Sequence, residues 1–188
     1  MKLLSWNVRG LGLSRTTRRL KNFLRDVKPT VIFLIETKLP NTRMEKVRKL
    51  LGFPNGVDVA AVGRSGGLSM AWRSSCRVAV RSYSCRHIDI MVEDDSNGFS
   101  WRCTGFYGAP EVQNRAAAWD LLRQLDDIPQ VPWLVIGDFN VILFASEKVG
   151  GLPRNQWQMD NFISVLNDCS LEDIGYEWSW FTWEWGRL

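Results

Sequence analysis

Asp138 and Asn140 follow the apolar run Val131-Pro132-Trp133-Leu134-Val135-Ile136-Gly137, with only Phe139 between them. A short run rich in β-branched residues reads as a buried strand, here ending at Gly137. Residues two apart on an extended backbone point to the same side. Asp138 and Asn140 would then project together from the strand end, with Phe139 turned back into the core. A carboxylate that can take a proton, beside an amide that can donate to an oxyanion, suits attack of water on a phosphate ester. The same pair also fits an ordinary Asp/Asn turn, and alone it does not decide between the two.

Other polar residues stand at the ends of other apolar runs. Lys2 to Val8 reads as a short strand ending in Ser5-Trp6-Asn7, followed by the loop Arg9-Gly10-Leu11-Gly12. Ser14 is placed to cap a helix over Arg15 to Val27, whose apolar stripe is Leu20, Phe23, Leu24 and Val27. Pro29 stops it, and Thr30 to Ile35 is a second buried strand leading into Glu36-Thr37-Lys38. Strand, helix and strand in this order make a right-handed unit that brings Asn7 and Glu36 to the same end of neighbouring strands. A lone carboxylate there can hold one Mg²⁺, which keeps most of its waters and takes few protein ligands.

A second helix is expected near Thr42 to Leu51, ending at Gly52. The period then changes. Val57–Val62, Gly67–Trp72, Arg77–Tyr83, Ile88–Val92 and Ser100–Tyr107 are short strands between Gly, Ser, Asn and Asp turns. The last ends at Tyr107. A helix over Asn114 to Leu125 returns the chain to the Asp138 strand, and another is expected from about Gln156 to Asn167. Tyr176 to Trp185 alternates like a strand. Gly63-Arg64-Ser65-Gly66-Gly67 is a turn, not a phosphate-cradling loop, because no Gly-Lys-Ser/Thr opening a helix follows it.

The 188 residues suit a single domain with a sizeable core, spanning 1–188. No apolar run approaches the length needed to cross a bilayer, and the N-terminus lacks the apolar segment of a secretory signal. Cys76, Cys85, Cys103 and Cys169 show no CxxC spacing, so reduced thiols in an intracellular protein are expected. The net charge of +4 is unevenly spread: residues 1–64 hold 14 Lys/Arg and 4 Asp/Glu, the remainder 10 and 16. A basic first third fits a protein that grips a polyanion, although such charges also serve as a solvated helix face.

In order along the chain, SWNVRGLG, ETK, GFYGAPE, PWLVIGDFN and FTW resemble the endonuclease/exonuclease/phosphatase superfamily. GRSGGL, Tyr83-Ser84 with His87-Ile88-Asp89, Glu147-Lys148 with Gly150-Gly151, and Gln158-Met159 narrow the likeness. They resemble the endonuclease domain of plant non-LTR (LINE-type) retrotransposons. The resemblance implies an α/β fold, a four-layer α/β/β/α sandwich of two mixed sheets flanked by helices, as in pancreatic deoxyribonuclease. It implies Mg²⁺ (or Mn²⁺) on Glu36. Asn7 would hold the site together, Tyr107 would contact the scissile phosphate, Asp138 would handle the water and Asn140 would orient the phosphate. Thr182 and Arg9 would bind substrate.

The implied reaction is nicking of DNA, contacted through its backbone with little regard for sequence. No membrane and no obligate protein partner is expected, and the location implied is nuclear. The Ser-Asp-His segment that closes such domains has no counterpart before Leu188, so the expectation is a domain lacking its final strands, with weak or absent activity. The alternatives are a catalytically dead DNA-binding remnant and a non-functional relic. His87, the only histidine, is expected to be a strand histidine without a catalytic part.

Overall fold

The computed structural model describes residues 1–63, 65–94, 98–128 and 130–175. Arg64 of GRSGGL, the alternating tail from Tyr176 and Thr182 within it lie outside the described residues. The chain forms two compact units: Met1–Tyr107 with Ile128–Asp138, and Gly108–Asp127 with Phe139–Leu188.

The first unit holds two four-stranded sheets. Five apolar residues in a row make β2 (Val31–Ile35), and all five are buried. Such a strand needs cover on both faces. Its left neighbour is β1 (Leu3–Asn7), which pairs in parallel, joined through helix α1 (Ser14–Val27). Its right neighbour is β4 (Ser65–Trp72), antiparallel, and β3 (Asn55–Val62) lies beyond, giving the order β1-β2-β4-β3. Val31, Phe33 and Ile35 share a core with Leu68, Met70, Ile88, Ile90, Val92 and Cys103 of both sheets. Ile32 and Leu34 turn the other way, onto Leu20 and Leu24 of α1 and Met44 and Val47 of α2 (Asn41–Leu50). Each such side chain taken out of water contributes about 1.5–3 kcal/mol.

The second sheet has the order β5-β6-β7-β8, from β5 (Arg77–Tyr83), β6 (His87–Asp94), β7 (Phe99–Tyr107) and β8 (Trp133–Asp138). The first three run antiparallel, and β8 joins β7 in parallel. Away from the core, Asp89 is fully buried and accepts bonds from Arg102, Arg81 and Thr104. Arg102 also lies over the Trp133 ring at 4.5 Å.

Three local expectations are corrected. Ser14 is the first residue of α1, not its cap; Leu13 stands there, with no side-chain hydrogen bond. Phe23 leaves the buried stripe and meets Trp6 edge-on at 4.7 Å, both rings partly exposed. The Asp138 strand, read as buried, is the outer strand of its sheet and only half-buried, because one neighbour covers one side. It also continues one residue past Gly137.

In the second unit, a 3-10 turn (Val112–Asn114) leads into α3 (Arg115–Leu125), and α4 is Gln156–Asp168. The two helices meet through Trp119 stacked on Phe162 at 4.9 Å and an Arg123–Asp168 ion pair at 2.8 Å. Phe139 packs on Phe162 at 5.2 Å. In the loop between, Lys148 Nζ donates to the Gly150 and Leu152 carbonyls, both at 2.6 Å. All four cysteines are free thiols. Among the described residues no helix is long and apolar enough to cross a membrane.

Candidate active site

Four strand ends of the first unit supply the cluster. Asn7 closes β1 opposite Ile35 of β2, so Glu36 follows immediately beside it. Tyr107 and Asp138 are the final register pair of parallel β7 and β8. Parallel pairing is what places residues far apart in sequence at one end of the sheets.

The Asn7 amide uses both N–H donors. One goes to Glu36 Oε1 at 3.0 Å and the other to Asp138 Oδ2 at 2.9 Å. The Tyr107 hydroxyl donates to the same Glu36 oxygen at 3.1 Å, and Lys38 Nζ lies 3.5 Å from the other. The Arg9 backbone N–H donates to Asn7 Oδ1 at 3.2 Å, which fixes the amide plane, while the Arg9 side chain faces solvent. Burial raises the Glu36 carboxyl, but hydrogen bonds from Asn7 and Tyr107 and the charge of Lys38 outweigh it and hold it below its ordinary 4.5.

The backbone around the cluster is strained. Arg9, Glu36 and Lys38 have φ of 49°, 55° and 55°, a left-handed conformation costly for residues with a Cβ. Gly66 and Gly67 at the start of β4 support it: the Gly67 and Gly66 carbonyls accept the Thr37 and Lys38 N–H groups at 3.0 and 3.1 Å. A Cβ on Gly67 would lie 2.5 Å from Thr37 Oγ1. Gly137 serves β8 in the same way, since a Cβ there would meet the Phe106 carbonyl oxygen at 1.9 Å.

Asn7, Glu36, Tyr107 and Asp138 are thus brought together. Asn140 belongs to the second unit, where its amide donates to the Gly108 carbonyl at 2.9 Å. His87 bonds through its two ring nitrogens to Ser82 and Ser84, at 2.9 and 2.8 Å, and burial lowers its pKa. Lys38 and the Gly66-Gly67 carbonyls were missed by sequence reasoning, although the ETK and GRSGGL motifs contain them. Arg115 was missed as well; it donates to the Asn140 carbonyl at 2.9 Å. A cation in the first turn of a helix opposes the helix dipole, which is the one sequence signal it carries.

Residues 4–188 match the endonuclease/exonuclease/phosphatase family. The chain belongs to that family. Among solved structures, the endonuclease domain of TRAS1, a telomere-specific non-LTR retrotransposon, is 12% identical with a TM-score of 0.70, over 94% of this chain and 75% of that one. The AP endonuclease LMAP from Leishmania major is 19% identical with a TM-score of 0.67, over 89% and 66%. The 3'-5' exonuclease NExo from Neisseria meningitidis is 18% identical with a TM-score of 0.66, over 89% and 71%. The chain spans just under two thirds of the LMAP structure's length. At these identities the likeness is one of fold: two mixed sheets flanked by helices, as expected for an endonuclease/exonuclease/phosphatase member with a deoxyribonuclease-I-like architecture. No curated protein matches the chain.

Proposed function

We propose that this chain is a divalent-metal-dependent phosphodiester hydrolase that nicks DNA in the nucleus, of the kind carried by non-LTR retrotransposons. The observation that carries the reading is the Asn7 amide shared between Glu36 and Asp138. One neutral donor holds two carboxylates side by side, and a tyrosine hydroxyl secures the first of them. Family membership and the basic first third, with 14 Lys/Arg among residues 1–64, support the choice of a polyanionic phosphodiester.

The donor set fits Mg²⁺ or Mn²⁺. Both prefer carboxylate oxygen, and Glu36 is held ionised. Among the described residues no group of three or more His, Cys, Asp or Glu side chains could hold a metal ion, so Glu36 is the carboxylate that would ligate it. When bound, a divalent ion polarises the phosphate and steadies the leaving oxygen. Asp138, oriented by Asn7, accepts a proton as water attacks phosphorus; the new P–O bond forms and the bond to the 3′ oxygen breaks. The 3′ oxygen leaves as an alkoxide and takes its proton from solvent water, giving a 3′ hydroxyl. The Tyr107 hydroxyl, which donates to Glu36 in the free protein, turns its hydrogen to an oxygen of the scissile phosphate, and Asn140 orients that phosphate. Arg9 and Thr182 contact the DNA backbone.

The test is conversion of supercoiled plasmid to open circle with Mg²⁺ or Mn²⁺. Nicking should vanish in EDTA and fall by about 10²–10⁴-fold in Asp138→Asn. Glu36→Gln should weaken metal binding in a calorimetric titration. A folded wild type that nicks with neither ion overturns the reading, as does an Asp138→Asn protein that nicks at the wild-type rate.

A further inference from the structure

Arg115 is a buried cation, 5% exposed, at the first residue of α3. Its guanidinium donates to the Asn140 carbonyl at 2.9 Å, to the Ala109 carbonyl at 3.4 Å and to Gln158 Oε1. All three acceptors are neutral. A buried charge without a carboxylate is a poor choice for stability, since an apolar side chain could fill the space without the desolvation. What the planar fork does provide is three fixed directions at once. Two of them lace together the segments that follow Tyr107 and Asp138 in sequence. The Asn140 amide adds a third tie, to Gly108 at 2.9 Å. Gly108 has no room for a side chain, because a Cβ would meet the Phe139 carbonyl oxygen at 2.0 Å. Asn140 itself sits at φ 55°, the left-handed region that asparagine tolerates better than most residues with a Cβ. Gln158 of α4 keeps the guanidinium from rotating.

We infer that Arg115 is a positioning residue for Asn140, holding the left-handed turn in which Asn140 stands. The inference rests on the reading of Asn140 as a phosphate-orienting residue. Arg115 touches no reacting atom and acts through that turn.

The experiment compares Arg115→Met, Arg115→Lys, Gln158→Ala, Asn140→Ala and the Arg115→Met/Asn140→Ala double variant. Hydrogen exchange of residues 138–142 and plasmid nicking are read for each. Arg115→Met should speed exchange in that segment while α3 and α4 keep their protection, and lower kcat on the order of 10²-fold with little change in KM. Lysine reaches too few acceptors to rescue it. Gln158→Ala, which keeps the cation, should cost roughly 3–10-fold. In the Asn140→Ala background Arg115→Met should cost nothing further. Unchanged exchange in Arg115→Met and Gln158→Ala, or additive losses in the double variant, overturns the inference. A wild type that does not nick overturns the hydrolase reading instead, and exchange alone then decides what Arg115 holds.

Discussion

Asn7 and Asp138 stand 131 residues apart in the chain, and the amide of one donates to the carboxylate of the other at 2.9 Å. Nothing local joins them; β1 and β8 belong to different sheets of the first unit. Replacing Asn7 by Ala removes the donor that both carboxylates share. Loss of two charge-assisted bonds in a half-buried site should destabilise the fold by about 1–3 kcal/mol. Nicking should fall by about 10²–10³-fold, with weaker metal affinity. Urea unfolding and calorimetric metal titration check the two halves; unaltered metal affinity would count against the shared-donor account.

The pH dependence follows from Glu36 and His87. Glu36 titrates below 4.5 in the fold, so under that value the unfolded chain binds the proton more readily. Its contribution is complete above 4.5 and is lost as pH falls through the lower folded value. Burial of His87 works in the same direction: its contribution is complete above 6.5 and is lost as pH falls through its own lowered value. Stability should therefore decline in two stages on acidification, as urea midpoints at stepped pH would record. Tyr107→Phe removes one bond to Glu36 and should move its carboxyl titration upward by NMR. A Glu36 resonance that titrates at the same pH in both proteins contradicts this.

Gly137→Ala tests how tightly β7 and β8 are joined. The added Cβ would press on the Phe106 carbonyl oxygen at 1.9 Å, and φ of 153° is strained for alanine. The strands must part where they present Tyr107 and Asp138. A loss on the order of 3 kcal/mol is expected, with nicking reduced more than the unfolded fraction explains. An unchanged denaturation midpoint would show that the ladder yields easily there.

The buried Asp89 should behave in the opposite way. Its removal strands Arg102, which is 1% exposed, without its carboxylate. Asp89→Ala should cost about 3–5 kcal/mol in denaturant unfolding. Nicking per folded molecule should stay at the wild-type level, because the network touches neither Glu36 nor Asp138. A catalytic defect at full folding would instead tie this network to the site.

Much of this protein is legible in its sequence because apolar periodicity is local. Val31-Ile32-Phe33-Leu34-Ile35, short, β-branched and followed by polar residues, reads as a strand covered on both faces, and a right-handed strand-helix-strand unit puts Asn7 and Glu36 at the same end. Among the described residues, the eight strands and four helices fall near the expected runs for the same reason. The quoted motifs contain Asn7, Glu36, Tyr107 and Asp138, which the fold brings together. Tertiary structure decided the rest. Periodicity does not say which strand forms a sheet's edge, so the half-buried position of β8 appears only once its neighbours are placed. Hydrogen-bond partners across 131 residues are set by how the two sheets of the first unit pack on each other, which no local pattern encodes. Arg115 shows the limit most clearly. Its sequence neighbourhood reads as the start of an ordinary helix, and its three neutral acceptors converge only when residues 109, 140 and 158 are folded together.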